Sequence, residues 1–162
     1  MELEVKHLAP YLPYGLKLQY VVREKVEQTG ILKSISHNED ETHPTRVSIS
    51  AMYNEEHIWM FKPILRPLSD LDKELFINGW FGFIPAKRLA NEYLNTSYWG
   101  TNEIGTGILD KDGKMVNLCF IANEILGECP FMIYQSLCEW HFDIFNLIGQ
   151  GLAVDINTLS IE

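Results

Sequence analysis

The sequence predicts an α+β fold of mostly antiparallel strands, with one short helix and one long C-terminal helix. Three observations support this prediction. Apolar and polar residues alternate over short runs in the first half of the chain, which is the period of a half-buried strand. Two hairpin patterns follow in the second half. An apolar run with helical spacing then covers residues 130–148. A small SH3-like or OB-like barrel, made from the first four or five strands, is one arrangement that this order allows.

The first elements are predicted to be an extended segment and three strands. The segment HLAPYLPYGL, residues 7–16, contains two prolines and a glycine, which favours an extended conformation over a helix. Residues 16–22, 31–36 and 46–52 then have strand character. Pro63 and Pro67 follow the apolar run HIWMF, and because proline has no N–H, they predict that this part stays outside any central ladder.

The second half begins with a hairpin and a short helix. Asn78-Gly79 lies between ELFI and WFGFI, and this dipeptide between such runs favours a tight hairpin turn. The run PAKRLANEYLN, residues 85–95, predicts a helix with Pro85 in its first turn, where the missing N–H removes no hydrogen bond.

The last elements are a second hairpin, the long helix and a docked tail. Residues 110–113 separate EIGTGIL from KMVNLCFI and predict the hairpin turn. The final helix is predicted from Pro130 to about residue 148, where Gly149 and Gly151 end it. The tail LAVDINTL is predicted to be a short strand or an extended segment.

Length and composition predict one globular domain, residues 1–162. Hydrophobic residues make up 46% of the 162 residues and charged residues 22%, which is typical of a folded protein. With 13 basic and 22 acidic residues the net charge is −9. Such a surface repels phosphate, so general binding to nucleic acids or to anionic membranes is disfavoured, although a local basic groove remains compatible.

The chain is expected to be soluble and cytoplasmic. Its three cysteines include no C-x-x-C pair, which favours reduced thiols. The N-terminal residues lack a basic stretch followed by an apolar run, so no signal peptide is expected. The most apolar segment, residues 131–148, contains Glu139, His141 and Asp143, which argues against a membrane span.

The segment LCEWHFDIF combines several reactive side chains, but a helix would separate them. At about 100° per residue, Glu139 and Asp143 fall on a polar, solvated stripe, whereas Cys138 and His141 fall on the opposite, buried side. We therefore predict that His141 is a core histidine whose ring nitrogens are satisfied by backbone groups or by a tyrosine.

Two metal sites were weighed against simpler interpretations. Cys138 and His141 together with Cys119 and Cys129 make a Cys₃His set, but the ligands are not arranged in the tight pairs of structural zinc sites. The loop at residues 37–43 has the composition of a divalent-cation site, yet a charged run between strands is more typical of a solvated turn. No motif for nucleophilic, phosphate-binding or zinc-dependent catalysis occurs. We predict no metal ligand, no cofactor and no enzymatic activity.

Aromatic residues supply the candidate binding surfaces. Trp80, Phe81 and Phe83, in the run NGWFGF, form the predicted protein-interaction patch, because large aromatic side chains make good interface anchors. The alternative is a single-stranded nucleic-acid or nucleotide binder, in which aromatic residues of a barrel face stack on bases. Its residues are Trp59 for stacking and Lys62 and Arg66 for phosphate contacts.

Three stretches carry a resemblance to a known group of proteins: HLAPYLPYGLKLQY, FKPILRPLSDL and EWHFDIFNLIGQGLAVDINTL. They resemble a family of small proteins encoded by phages, prophages and mobile elements of gut bacteria. The resemblance implies a phage or prophage origin and expression in the bacterial cytoplasm, and it brings no activity, cofactor or catalytic residue. We therefore predict a non-catalytic accessory protein that binds a host or phage protein.

Overall fold

The structure is a computed structural model, and the fold is α+β, as the sequence predicts. It describes residues 2–20, 28–37, 45–52, 54–77, 82–93, 98–102, 105–109, 115–117 and 131–159. The chain divides into two compact units. Unit 1 comprises Met1–Pro67 and His141–Glu162, and unit 2 comprises Leu68–Trp140. Each unit is described by itself.

Unit 1 is built on a six-stranded sheet with the order β4-β3-β2-β1-β5-β9. Its strands are β1 (Lys17–Tyr20), β2 (Gln28–His37), β3 (Thr45–Ile49), β4 (Glu56–His57), β5 (Phe61–Leu65) and β9 (Val154–Asp155). All neighbours are antiparallel except β5 and β9, which are parallel. Within the described residues the sheet is open, with β4 and β9 at its edges. The barrel is therefore not confirmed: a barrel requires its end strands to pair with each other, and β5 pairs with β9 instead.

The three strands predicted first are confirmed within the described residues, which leave out residues 21–22; β3 buries alternate residues, whereas β1 buries both Leu18 and Gln19. Leu18 on β1 and Val47 and Ile49 on β3 are buried in the core of unit 1. The prediction for Pro63 was wrong. This residue lies inside β5, opposite Leu18 of β1. The hydrogen-bond ladder between β5 and β9 covers only Ile64 and Leu65 of β5. A Pro63 nitrogen that faces β9 therefore removes no ladder bond.

The N-terminal segment is helical, so the predicted extended conformation was also wrong. Helix α1 (Val5–Leu8) continues into a 3-10 helix at Ala9–Tyr14. Pro10 lies in the first turn, where its missing N–H removes no bond, and Gly15 ends the helix with a φ of 68°. This short helix contains both prolines. Tyr11, which lies between them, is fully buried, and its tertiary contacts hold the helix in place.

The described residues of unit 2 form two α-helices, a 3-10 helix and a three-stranded antiparallel sheet. The unit begins with a 3-10 helix at Leu68–Asp72, and its other elements are α2 (Pro85–Tyr93), β6 (Tyr98–Asn102), β7 (Gly105–Leu109), β8 (Met115–Asn117) and α3 (Phe131–Glu139). The sheet order is β6-β7-β8. Helix α2 and the antiparallel pairing of β7 with β8 confirm the sequence predictions, while β6 was not predicted. Short 3-10 helices at Ile58–Met60 and Ile156–Thr158 belong to unit 1.

The long C-terminal helix is not observed, because α3 ends at Glu139. His141 and Asn146 have positive φ angles of 60° and 54°, which do not fit a helix. The backbone of residues 141–143 pairs with Arg66 instead. The Arg66 N–H donates to the His141 carbonyl, and the Arg66 carbonyl accepts from Asp143 N–H, both at 2.8 Å. A β-type pairing has therefore replaced the predicted helical turn.

Asp143 consequently does not lie on a solvated stripe, and that prediction was wrong. Its side chain is buried, and its two oxygens accept hydrogen bonds from the backbone N–H groups of Leu147 and Ile148, each at 2.8 Å. Cys138 on α3 is buried, as predicted. The tail forms the short strand β9, which confirms its prediction. No helix among the described residues has both the length and the apolar character needed to cross a membrane.

Candidate functional site

The first candidate surface is the aromatic hairpin of unit 2. Leu75 and Phe83 form an antiparallel bridge in which each N–H donates to the carbonyl of the other residue, at 2.8 and 3.1 Å. The chain therefore reverses its direction between these residues. The turn itself, with the predicted patch residues Trp80 and Phe81, lies outside the described residues.

Phe83, the third predicted patch residue, is half-buried by contacts inside unit 2. Its ring packs against Trp140, with centroids 5.1 Å apart and an angle of 58° between the planes. The Arg88 guanidinium lies 5.2 Å from the Phe83 centroid and 5.8 Å from the Trp140 centroid. Cation–π attraction and aromatic packing therefore give Phe83 a structural role in fixing the base of the hairpin.

Phe76, on the other arm of the hairpin, is the exposed aromatic residue that the sequence analysis missed. Its side chain is 73% exposed, although it directly follows the buried Leu75. Along a strand-like arm successive side chains point to opposite sides, so burial of Leu75 turns Phe76 outward. The alternation in ELFI was the pattern that contained this information.

Gly82 leaves room for the Phe76 ring and the Glu74 carboxylate. A Cβ atom at Gly82 would lie 2.8 Å from Cε1 and Cζ of the Phe76 ring and in contact with Oε1 of Glu74. The ring edge and the carboxylate therefore both lie over the bare backbone of this glycine, where a side chain would displace them. We call Glu74, Phe76 and Gly82 the Phe76 patch.

The second candidate surface is the segment around Trp59 in unit 1. Trp59 is 60% exposed and stacks on His57, with centroids 6.0 Å apart and nearly parallel rings at 10°. Lys62 and Arg66, the other two residues of the nucleic-acid hypothesis, are half-buried and follow on β5 and just after it. Lys62 lies opposite Gln19 of β1. One exposed aromatic ring thus precedes two cations on a single stretch of chain.

One ring nitrogen of His141 is satisfied by a backbone group, as predicted, although the residue is part-buried and does not lie in the core. Its Nε2 lies 2.9 Å from the Tyr14 carbonyl oxygen and donates to it. Burial lowers the pKa of His141, the bond to Tyr14 opposes this, and the positive charges of Arg66 and Lys17 lower the pKa further. A neutral ring bonded to a carbonyl indicates a structural histidine that links the N-terminal helix to the C-terminal segment.

Most residues of the two metal hypotheses lie outside the described residues. Cys119, Cys129 and residues 38–43 lie outside the described residues. His141 follows the end of α3, so the helical spacing to Cys138 on which the zinc set relied is absent. Among the residues that the structure describes, no three His, Cys, Asp or Glu side chains are close enough to hold a metal ion.

Comparison of the chain with protein-family models, with curated proteins and with solved structures finds no match.

Proposed function

We propose that this protein is a non-catalytic interaction module that binds another protein through the aromatic hairpin of unit 2. The observation that carries the proposal is the exposed Phe76 ring, which lies close to the backbone of Gly82. An aromatic side chain that becomes covered in a complex buries a large apolar area. Trp80 and Phe81 extend the same hairpin in sequence and are proposed to belong to this surface.

The biological setting is part of the proposal. The three stretches that resemble phage and prophage proteins suggest an accessory protein of a bacterial virus, active in the cytoplasm of its host. The partner would then be a host or phage protein. An acidic chain with a net charge of −9 favours such a partner over a nucleic acid.

Phe76→Ala is expected to abolish capture of the partner and to leave the fold intact. An exposed side chain contributes little to the folded state, so the free energy of unfolding should change by less than about 0.5 kcal/mol. Binding should fall at least about tenfold, because aromatic anchors dominate interface energies. Binding is measured by quantitative affinity purification from bacterial cells that carry the phage or prophage proposed to encode this protein. Urea unfolding of the same variants measures their stability.

Phe131→Ala is the matched control, because this phenylalanine is also 73% exposed and lies at the start of α3. It should retain the partner. Recovery of the same proteins in equal amounts with Phe76→Ala would refute the hairpin as the binding surface. Phe83→Ala is unsuitable as a first test because its contacts with Trp140 and Arg88 make destabilisation the expected result.

The alternative function, single-stranded nucleic-acid or nucleotide binding, is favoured by the stack of Trp59 on His57. A flat ring held in parallel contact presents its outer face to a base, and Lys62 and Arg66 would contact phosphates. Binding of a labelled oligothymidylate at low salt should weaken about tenfold or more in Trp59→Ala. Lys62→Ala should lower the slope of log affinity against log salt by about 1. If fluorescence anisotropy shows no binding of the labelled oligothymidylate to the wild-type protein, this alternative is refuted.

A further inference from the structure

We propose that the Phe76 patch receives a basic segment of the partner protein, one in which an arginine or lysine lies beside an apolar residue. This inference rests on the proposed function and specifies the chemistry of the partner. It follows from the charges around Phe76 and from the way in which its ring is oriented.

The residues around Phe76 leave uncompensated negative charge. Glu74 lies with the ring over Gly82, and Asp72, two residues earlier, is exposed. Lys73 lies between them in sequence. Its ammonium group forms an ion pair with the buried Asp70 at 2.6 Å, so Asp70 offsets the positive charge of Lys73. Within the described part of the chain, neither Asp72 nor Glu74 pairs with a cation.

A purely apolar partner would therefore bind poorly. Covering Phe76 also removes water from the Glu74 carboxylate, and a carboxylate that loses water without gaining a partner costs free energy. A partner with a cation at this point supplies the missing pair. The net charge of −9 further attracts basic segments over long distances and raises their association rate.

The orientation of the ring specifies the contact further. The Cε1–Cζ edge of Phe76 faces Gly82 beside the Glu74 carboxylate, and the edge of an aromatic ring is its positive region. The Glu74 carboxylate and the ring edge both lie close to Gly82, and the exposed ring offers its negative face to a guanidinium group. An arginine on the partner can stack on Phe76 and pair with Glu74 at the same time, which a lysine does less well.

Selection from a random peptide library displayed on a carrier tests this inference with the intact chain as bait. The enriched peptides are expected to contain arginine or lysine next to a leucine, an isoleucine or an aromatic residue. For a synthetic peptide of the consensus sequence, affinity should fall at least about tenfold in Phe76→Ala and about threefold in Glu74→Gln. Raising the salt concentration should reduce the difference made by Glu74→Gln, because screening weakens the ion pair.

Two variants serve as matched controls. Phe131→Ala removes an equally exposed phenylalanine, and Glu2→Gln removes one exposed carboxylate from another part of the chain. Each should change the affinity less than about twofold. Enriched peptides that lack basic residues but depend on Phe76 would overturn the inference and leave the proposed function standing. If no enriched peptide depends on Phe76, both fail. Equal losses in Glu74→Gln and Glu2→Gln would show a general charge effect and would also overturn the inference.

Discussion

Replacing Tyr11 by alanine is expected to lower the free energy of unfolding of unit 1 by about 4 kcal/mol, the usual cost of removing a buried aromatic side chain. The Tyr11 side chain is fully buried, and its hydroxyl donates to the Phe142 carbonyl at 2.6 Å. The same hydroxyl accepts from Ile144 N–H at 3.4 Å. Its ring meets Phe145 edge-on, with centroids 6.5 Å apart. One side chain therefore joins the N-terminal 3-10 helix to the C-terminal segment. Its loss leaves a cavity and removes one of the hydrogen bonds to the Phe142 carbonyl, which also accepts from Ile144 N–H at 3.0 Å.

Tyr11→Phe separates these two contributions. It keeps the ring and removes only the hydroxyl, so we expect a loss of about 1 kcal/mol, the net value of a buried hydrogen bond. Urea unfolding gives the total loss, and hydrogen exchange at the amides of β1 and β5 shows whether unit 1 is the part that opens. Equal stability of Tyr11→Ala and the wild type would contradict the central role of this residue in the core.

The strands were predictable because their information is local. On β3 the alternation of apolar and polar side chains matches the observed burial, with Val47 and Ile49 inside, whereas on β1 Gln19 is buried beside Leu18. Local information also predicts α2, which starts at a proline in its first turn. Pro63 shows the limit of this reasoning, because the cost of a missing N–H depends on which neighbour the strand acquires.

The C-terminal segment was mispredicted because tertiary pairing decides its conformation. Residues 140–148 have helical spacing, yet the backbone of Arg66, far away in sequence, offers a donor and an acceptor to residues 141–143. That pairing turns Asp143 inward, and no periodicity in a single segment records it. Tertiary contacts outweigh helix propensities of a few tenths of a kcal/mol per residue.

The candidate site was half predictable for a related reason. The run NGWFGF pointed to the hairpin because aromatic residues at a turn are conspicuous in the sequence. Phe76 was missed although the alternation in ELFI contains its exposure: Leu75 and Ile77 are buried, and Phe76 between them points outward.

Replacing Asp143 by alanine is expected to cost about 2 kcal/mol of unfolding free energy. The carboxylate is 4% exposed and accepts from the N–H groups of Leu147 and Ile148 in a turn that also contains Asn146 with a positive φ. Alanine leaves these N–H groups without their acceptor, and a buried donor that loses its partner costs about 1–3 kcal/mol. Asparagine keeps one acceptor oxygen, so Asp143→Asn should lose about half as much, as measured by urea unfolding at neutral pH.

The pH dependence of the same pair of proteins tests the electrostatics of this buried carboxyl group. Burial raises the pKa of Asp143 above its ordinary value of 3.8, and the N–H groups of Ile148, Leu147 and Phe145 lower it by less. The folded protein therefore holds this proton to a higher pH than the unfolded chain. The stability that the group contributes is complete below the ordinary pKa and is lost as the pH rises through the raised, folded-state pKa. Asparagine does not titrate, so the stability of the wild type relative to Asp143→Asn should decrease as the pH rises from 3.8 through the raised pKa of Asp143. An increase over that range would mean that the backbone donors outweigh burial and that the folded-state pKa is lowered.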